Sequence, residues 1–193
     1  MPGGRIRLAT AGDAEAIQQI YAPFVTETSV SFEMVPPSVE EMAQRITTTL
    51  QRTPWLVYEQ DGRVMGYAYA SKHRDRAAYQ WSVEVSAYVQ SEARRTGMAR
   101  ALYDRLFAIL AMQGFYSAFA GITLPNEASV AFHRAMGFRD IGVFHSIGYK
   151  FGQWHDTGWL ERPLRSYDSP TDPPIPLSYV PCAELTAVLS RSD

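Results

Sequence analysis

The segment from Trp81 to Leu110 constrains the fold more than any other, because a basic turn in it joins a strand pattern to a helix pattern. Residues 81–89, WSVEVSAYV, alternate in polarity and are rich in β-branched and aromatic residues, which predicts a β-strand. From Met98 onward, apolar residues recur at helical spacing. The turn between them, RRTGMA at 94–99, predicts a phosphate site made of backbone N–H groups and a helix N-terminus. An ordinary turn with solvated arginines is the alternative that these residues leave open.

The remaining patterns predict the element order β-α-α-β-β-β-α-β-α-β-β. Asp13 stands where a helix N-cap is expected, and Ser38 followed by Glu41 is typical of a capping box. Asp61-Gly62 between two strand patterns predicts a hairpin. Hairpin strands come first and helical crossovers later, so the sequence predicts an α/β (α+β) fold, a mixed sheet with helices on both faces.

Composition excludes several classes of protein. The 193 residues suit one domain with a full core, and the net charge of −2 argues against a nucleic-acid surface. No apolar run approaches the ~18–20 residues of a membrane span, and no signal peptide is evident. The single cysteine, Cys182, predicts a reducing compartment, the cytoplasm. No His, Cys and carboxylate set has metal-ligand spacing, so no metal is expected.

A change in composition divides the chain after Leu164. We predict one catalytic domain over residues 1–164 and a proline-rich C-terminal tail over residues 165–193. The tail has few aliphatic residues and is expected to be partly extended or disordered, or to pack across a neighbour.

Three sets of side chains could carry chemistry. Strand alternation places Glu84 with Ser82, Ser86 and Tyr88 on one face, where a central strand would hold the carboxylate near the core as a general base. An edge-strand glutamate facing solvent is the alternative. His133, in the helix after Asn126, is either a proton carrier or an ordinary surface or core histidine.

Arg74 and Arg76 precede the Glu84 strand, and their planar guanidinium groups suit carboxylate or phosphinate oxygens. Two solvated arginines beside Asp75 are the alternative. Tyr103 is expected near the cosubstrate or in packing. Lys150, His155 and Asp156 are expected to have structural roles in the terminal strand pair. No metal site is expected at these residues.

The turn at 94–99 matches R/Q-x-x-G-x-G/A, the loop of the GNAT acyl-CoA N-acyltransferases, with Ala99 in the last position. More specifically, the chain from about Arg5 to Arg162 resembles the phosphinothricin and methionine sulfoximine N-acetyltransferases. The segments that carry this resemblance are residues 79–89, 97–103, 113–115, 124–130, 133–138 and 148–156.

This resemblance implies the GNAT fold, with acetyl transfer from acetyl-CoA to the primary amine of a small amino-acid-like acceptor, and a homodimer. Glu84 and His133 match catalytic acid/base positions, His133 standing where the wider superfamily often has a tyrosine. Arg74 and Arg76 match positions that hold the acidic end of the acceptor, and Phe32 lies in a segment that covers it. The matching acetyl-CoA contacts are Ala87, Tyr88, Val89, Arg94, Arg95, Thr96, Gly97, Met98, Ala99 and Asn126.

Two other functions remain open on the sequence. One is a GNAT enzyme that acts on another amine, such as an ordinary amino acid or a peptide N-terminus. The other is a non-catalytic acyl-CoA-binding module, which would need the turn at 94–99 but neither Glu84 nor His133.

Overall fold

A computed structural model describes residues 4–93, 95–167 and 172–191. It contains a seven-stranded sheet and five α-helices. The strands are β1 (Gly4–Leu8), β2 (Trp55–Gln60), β3 (Arg63–Lys72), β4 (Ser82–Val89), β5 (Ser117–Leu124), β6 (Arg139–Lys150) and β7 (Gln153–Pro163). The helices are α1 (Ala14–Thr26), α2 (Val39–Leu50), α3 (Met98–Gln113), α4 (Glu127–Ala135) and α5 (Cys182–Leu189).

The strands lie in the order β1-β2-β3-β4-β5-β7-β6. Only the β4–β5 pair is parallel; the other described pairs are antiparallel. A parallel pair needs a crossover, and α3 supplies it. The predicted mixed sheet with helices on both faces is confirmed, and so is the predicted element order up to β7.

Two apolar clusters lie on opposite faces of the sheet. One packs α1 and α2 against Trp55, Val57 and Tyr67. The other packs α3 against Val83 and Val85, among others. Odd and even residues of β4 therefore face different layers, as the alternation predicts, and Glu84 lies on the α1/α2 side of the sheet.

Local signals set several element boundaries. The Ser38 hydroxyl accepts the Glu41 N–H at 3.1 Å, which caps α2 as predicted. Asp61 and Gly62 turn the β2–β3 hairpin with φ angles of 51° and 74°, which glycine adopts at little cost. Asp13 is the N-cap residue of α1, as predicted, but its carboxylate does not cap that helix: it accepts the Thr10 N–H at 2.7 Å and pairs with Arg7 at 2.7 Å.

The described part of the C-terminal segment is more ordered than its composition predicts. Leu177, Val180 and Val188 are buried in the α3 cluster. The Gln113 amide donates to the carbonyls of Arg52 and Ile175, at 2.6 and 2.9 Å. The expectation of an extended or disordered tail therefore fails for residues 177–189, because α5 packs on α3, whereas residues 172–176 have no helix or strand. No helix among the described residues is both long and apolar enough to cross a membrane.

Candidate active site

A cleft opens where β4 and β5 part. Their pairing joins only three residues of each strand, Ser82–Glu84 with Ser117–Phe119. Beyond Glu84 the strands diverge, and α4 and the loop after α1 complete the walls. The cleft is lined by Val30, Val85, Ser86, Ala87, Tyr88, Tyr103, Ala120, Gly121, Ile122, Thr123, Asn126, Ser129 and His133.

Four of the predicted site residues meet in this cleft: Ala87, Tyr88, Asn126 and His133. Asn126 is the N-cap of α4, where its side chain accepts the Ser129 N–H at 3.2 Å. The Tyr88 ring packs edge-on against Tyr21 at 5.1 Å on the α1/α2 side, so its backbone is what borders the opening.

Backbone N–H groups of β4 point into the gap where β4 and β5 diverge, here called the splay. The Gln90 N–H bonds to the Met65 carbonyl of β3, and successive N–H groups of a strand point to opposite sides. The N–H groups of Ala87 and Val89 therefore face β5, where the ladder has ended. The splay offers free strand edges to a chain that inserts between them.

The turn before α3 has the geometry of an anion site. Arg95 and Gly97 have φ angles of 62° and 87°, and Gly97 is the N-cap of α3. No side chain among the described residues caps this helix, so its first N–H groups are directed at the turn. Thr96 instead closes the turn, its hydroxyl donating to the Ala93 carbonyl at 2.7 Å.

Met98 and Ala99 begin α3 directly after this turn. The Met98 side chain is buried in the α3 cluster, and Ala99 is half-buried at the first turn of the helix. Arg95 is exposed beside the turn. The predicted contact at Arg94 lies outside the described residues.

Glu84 sits at the closed end of the splay, on the fourth of seven strands. The edge-strand alternative is therefore wrong, although the side chain remains 36% exposed. His73 Nδ1 lies 3.0 Å from Glu84 Oε1, and the His73 ring stacks on Phe119 at 4.4 Å. Arg74 Nε donates to His73 Nε2 at 3.4 Å, which places the ring proton on Nδ1, toward the carboxylate. His73 thus orients Glu84.

His133 is buried, and both of its ring nitrogens have partners. Nδ1 lies 2.8 Å from the Ser129 carbonyl, which can only accept, so Nδ1 carries the proton. Nε2 then accepts from the Tyr103 hydroxyl at 3.2 Å. Desolvation lowers the pKa of His133, and burial raises the pKa of Tyr103 well above its ordinary value. At neutral pH the imidazole is neutral and the phenol keeps its proton.

The predicted acceptor contacts Arg74, Arg76 and Phe32 are not among the residues that line the cleft. Arg74 is exposed, with its guanidinium 5.7 Å from the Tyr79 ring centroid, and it borders a second cavity of about 280 Å³ walled by His73, Phe119 and Trp159, among others. Arg76 is exposed in the same loop. Phe32 lies against Gly148, where an added Cβ would come within 2.4 Å of its ring.

The contacts of two residues around the site are not identified by the sequence patterns. One is His73; the antiparallel register of Lys72 with Val83 could have shown that the next residue lies near Glu84. The other is Lys150, whose contacts are 119 and 125 residues away and leave no local signal. Within the described ranges, no three His, Cys, Asp or Glu side chains form a group that could hold a metal ion.

The acetyltransferase (GNAT) domain family matches residues 6–159. The chain belongs to the GNAT acetyltransferase family. This match confirms the predicted fold and the predicted enzyme class, an acetyltransferase that uses acetyl-CoA.

Relatives with named activities cover most of the chain. A phosphinothricin N-acetyltransferase of Streptomyces viridochromogenes is 39% identical over 157 residues, 81% of this chain and 86% of the relative. An L-methionine sulfoximine/L-methionine sulfone acetyltransferase of Salmonella typhimurium is 30% identical over 166 residues, covering 86% and 97%. The crystal structure of a phosphinothricin acetyltransferase from Sinorhizobium meliloti with acetyl-CoA has a TM-score of 0.84 and 37% identity, covering 91% of this chain and 97% of that one.

Proposed function

We propose that the enzyme transfers the acetyl group of acetyl-CoA to the primary amine of a small, amino-acid-like acceptor with an anionic group, of the phosphinothricin or methionine sulfoximine type. The observation that carries this is the splay of β4 and β5, which has a hydrogen-bonded carboxylate, Glu84, at its closed end and an uncapped helix N-terminus beyond its open end. The substrates of the named relatives support the choice of acceptor.

Acetyl-CoA fits the splay by the chemistry of its parts. The turn at 95–99 would bind the pyrophosphate through backbone N–H groups, the α3 dipole and Arg95. The pantetheine amides would pair with the free edge of β4, and Asn126 would contact the same arm. The Val89 N–H would polarise the thioester carbonyl as an oxyanion donor.

Glu84 serves as the general base. An ammonium group cannot attack a thioester, so the first of its two lost protons passes to the carboxylate, directly or through water. The free amine then attacks the acetyl carbon, and the second proton leaves nitrogen as the C–S bond breaks and the sulfur becomes a thiol. His73 holds Oε1, so the carboxylate has one orientation during this transfer.

Tyr103 acts on the leaving sulfur, and His133 contacts Tyr103. Neutral His133 has no proton on Nε2 to give, so the donor available to the cleft is the Tyr103 hydroxyl. A thiol has a pKa of about 8.5, below that of a buried tyrosine, so Tyr103 does not give up its proton to the thiolate. The hydroxyl has one proton, so it turns that proton from His133 Nε2 to the sulfur and stabilises the developing thiolate as a hydrogen-bond donor.

The β6 edge of the sheet supports a homodimer. β6 is the last strand in the sheet and presents a run of exposed apolar side chains, which an association of two copies would cover. The exposed members are Ile141, Val143, Phe144, Ile147 and Tyr149. A cytoplasmic location stays a prediction from the single cysteine, which is free and exposed.

Glu84→Gln should lower kcat by about 10²–10⁴-fold, because the amide cannot accept the ammonium proton. The measurement is thiol release from acetyl-CoA across a panel of amino acids that includes phosphinothricin and methionine sulfoximine. Glu184→Gln, an exposed glutamate on α5, is the matched control and should retain wild-type rates. Full activity of Glu84→Gln would remove Glu84 from the mechanism. Silence of the wild type across the panel, with acetyl-CoA still bound, would overturn the acceptor assignment.

Tyr103→Phe should lower kcat by about 10²-fold, the usual effect of deleting one donor to a developing charge. The factor should be the same at every pH from about 6.5 to about 9, because a phenol of raised pKa does not titrate there. Steady-state pH profiles of both enzymes test this, and Tyr58→Phe is the control at another buried tyrosine. A factor that changes across this range would show that Tyr103 gives up its proton.

Arg74→Ala and Arg76→Ala should each raise the acceptor KM by about 10- to 100-fold, through loss of charge-assisted hydrogen bonds to the anionic group. The KM of acetyl-CoA should stay within about twofold. Arg63→Ala, an exposed arginine at the start of β3, is the control. If the acceptor KM is unchanged in both variants, the anionic acceptor is wrong.

Ile147→Glu should convert a dimer into a monomer, because Ile147 is 54% exposed on the β6 edge and a buried carboxylate there has no partner. Sedimentation equilibrium at micromolar concentration measures this against Tyr179→Glu, at an aromatic position that is 73% exposed and lies outside β6. A wild-type chain that sediments as a monomer contradicts the dimer.

A further inference from the structure

Lys150, the last residue of β6, carries a buried cation. The residue is 2% exposed, and its ammonium donates to the Val25 carbonyl at 2.7 Å and the Ser31 carbonyl at 2.6 Å. The Phe151 ring centroid lies 5.1 Å from Nζ. Lysine is almost never fully buried without a partner, so these contacts define a specific site for the ammonium.

The two carbonyls explain why a cation is favourable there. Val25 is in the last turn of α1, whose carbonyls have no partner within the helix and carry the negative end of the dipole. Ser31 is five residues beyond the end of that helix. Burial lowers the pKa of Lys150, whereas the negative charge of Glu33 favours the protonated ammonium.

The loop held by Lys150 covers the cleft. Val30 lines the cleft together with His133, and Phe32 packs on Gly148 with its ring centroid 6.1 Å from that of His155. Lys150 therefore bonds to the chain before Val30, at Val25, and after it, at Ser31.

Several other hydrogen bonds of this loop come from its own flanking helices. The Tyr21 hydroxyl on α1 bonds to Ser31 Oγ at 2.7 Å and to Glu33 at 3.0 Å. Arg45 on α2 holds the Glu33 carboxylate at 2.7 Å. Lys150 differs from these because it comes from β6, so it fixes the distance between the loop and the sheet.

We propose that Lys150 is a positioning residue for the acceptor: its two carbonyl contacts hold Val30 and Phe32 as the wall against which the acceptor lies. This inference rests on the proposed acetyl transfer. Neither carbonyl belongs to β4, β5 or the turn before α3, so loss of the Lys150 contacts should move Val30 and Phe32 and leave in place the strand edges and the helix end assigned to acetyl-CoA.

Lys150→Met keeps the length of the side chain and removes the charge. The acceptor KM should rise by about tenfold or more, while the KM of acetyl-CoA stays within about twofold and kcat within about threefold. The matched control is Lys72→Met, since Lys72 is the other lysine of the chain and is exposed. An unchanged acceptor KM, or a fall in kcat together with a higher KM for both substrates, would overturn the proposal.

Gly148→Ala is a second test of the proposed wall, and it leaves the Lys150 ammonium intact. The new Cβ would lie 2.4 Å from the present position of the Phe32 ring, so the ring must move, and a side chain in an exposed loop can do so. The same selective rise of the acceptor KM is expected. If Lys150→Met does not fold, Gly148→Ala still tests whether the position of Phe32 sets the acceptor KM, and an unchanged acceptor KM would overturn the proposal.

Hydrogen exchange separates this inference from the proposed function. Amides of residues 27–38 should exchange about tenfold faster in Lys150→Met than in the wild type, with acetyl-CoA present in both. If the wild type acetylates no acceptor, the acetyl-transfer proposal fails, and faster exchange still supports positioning of the loop by Lys150. Equal exchange in the two proteins would contradict the positioning role whatever the activity.

Discussion

The early end of the β4–β5 ladder is the constraint on which the site depends. Two adjacent parallel strands in the middle of a sheet would ordinarily continue pairing, yet here three residues of each strand pair. Each strand stays fixed by its other neighbour, β4 by seven pairs with β3 and β5 by eight pairs with β7. The two inner edges can therefore remain open without loss of the sheet, and their polar groups are available to an extended ligand.

The same sheet determines which charged groups lie at the two ends of the cleft. At the closed end, strand alternation puts Glu84 on the α1/α2 face, where His73 reaches its carboxylate. At the open end the crossover from β4 to β5 requires a helix, and the N-terminus of α3 presents its positive end to the turn at 95–99. A negative base and an anion-binding helix end thus lie at opposite ends of one strand, because β4 is followed directly by the crossover.

The sequence predicts those parts of the molecule whose causes are local. The Asp61-Gly62 hairpin, the Ser38 cap and the two faces of β4 follow from short-range rules, and the structure has each of them. The position of Asn126 and His133 beside β4 is predicted only by the family resemblance. The hydrophobic periodicity of a helix does not show which open strand edge that helix covers.

What the sequence does not predict depends on contacts between distant residues. Lys150 bonds to carbonyls more than a hundred residues away, and backbone carbonyls carry no side-chain identity to recognise. The C-terminal segment shows the same limit. Its prolines indicate disorder, but Pro176 and Pro181 precede a 3₁₀ turn and α5, where a missing N–H costs little. The apolar residues between and after these two prolines are buried against α3. Local composition does not predict this contact.

The β6–β7 hairpin links two features that are separate in the sequence. Its outer edge exposes the apolar residues of β6, and its end carries Lys150 inward to the loop over the cleft. A bulge between Phe144 and Gly148 lies between these two parts. Asp156 on β7 stabilises the bulge, accepting the Ser146 N–H at 2.8 Å. Because Ser146 lies four residues before Lys150, the geometry of this bulge determines both how the apolar residues of β6 are presented and where the ammonium reaches the loop.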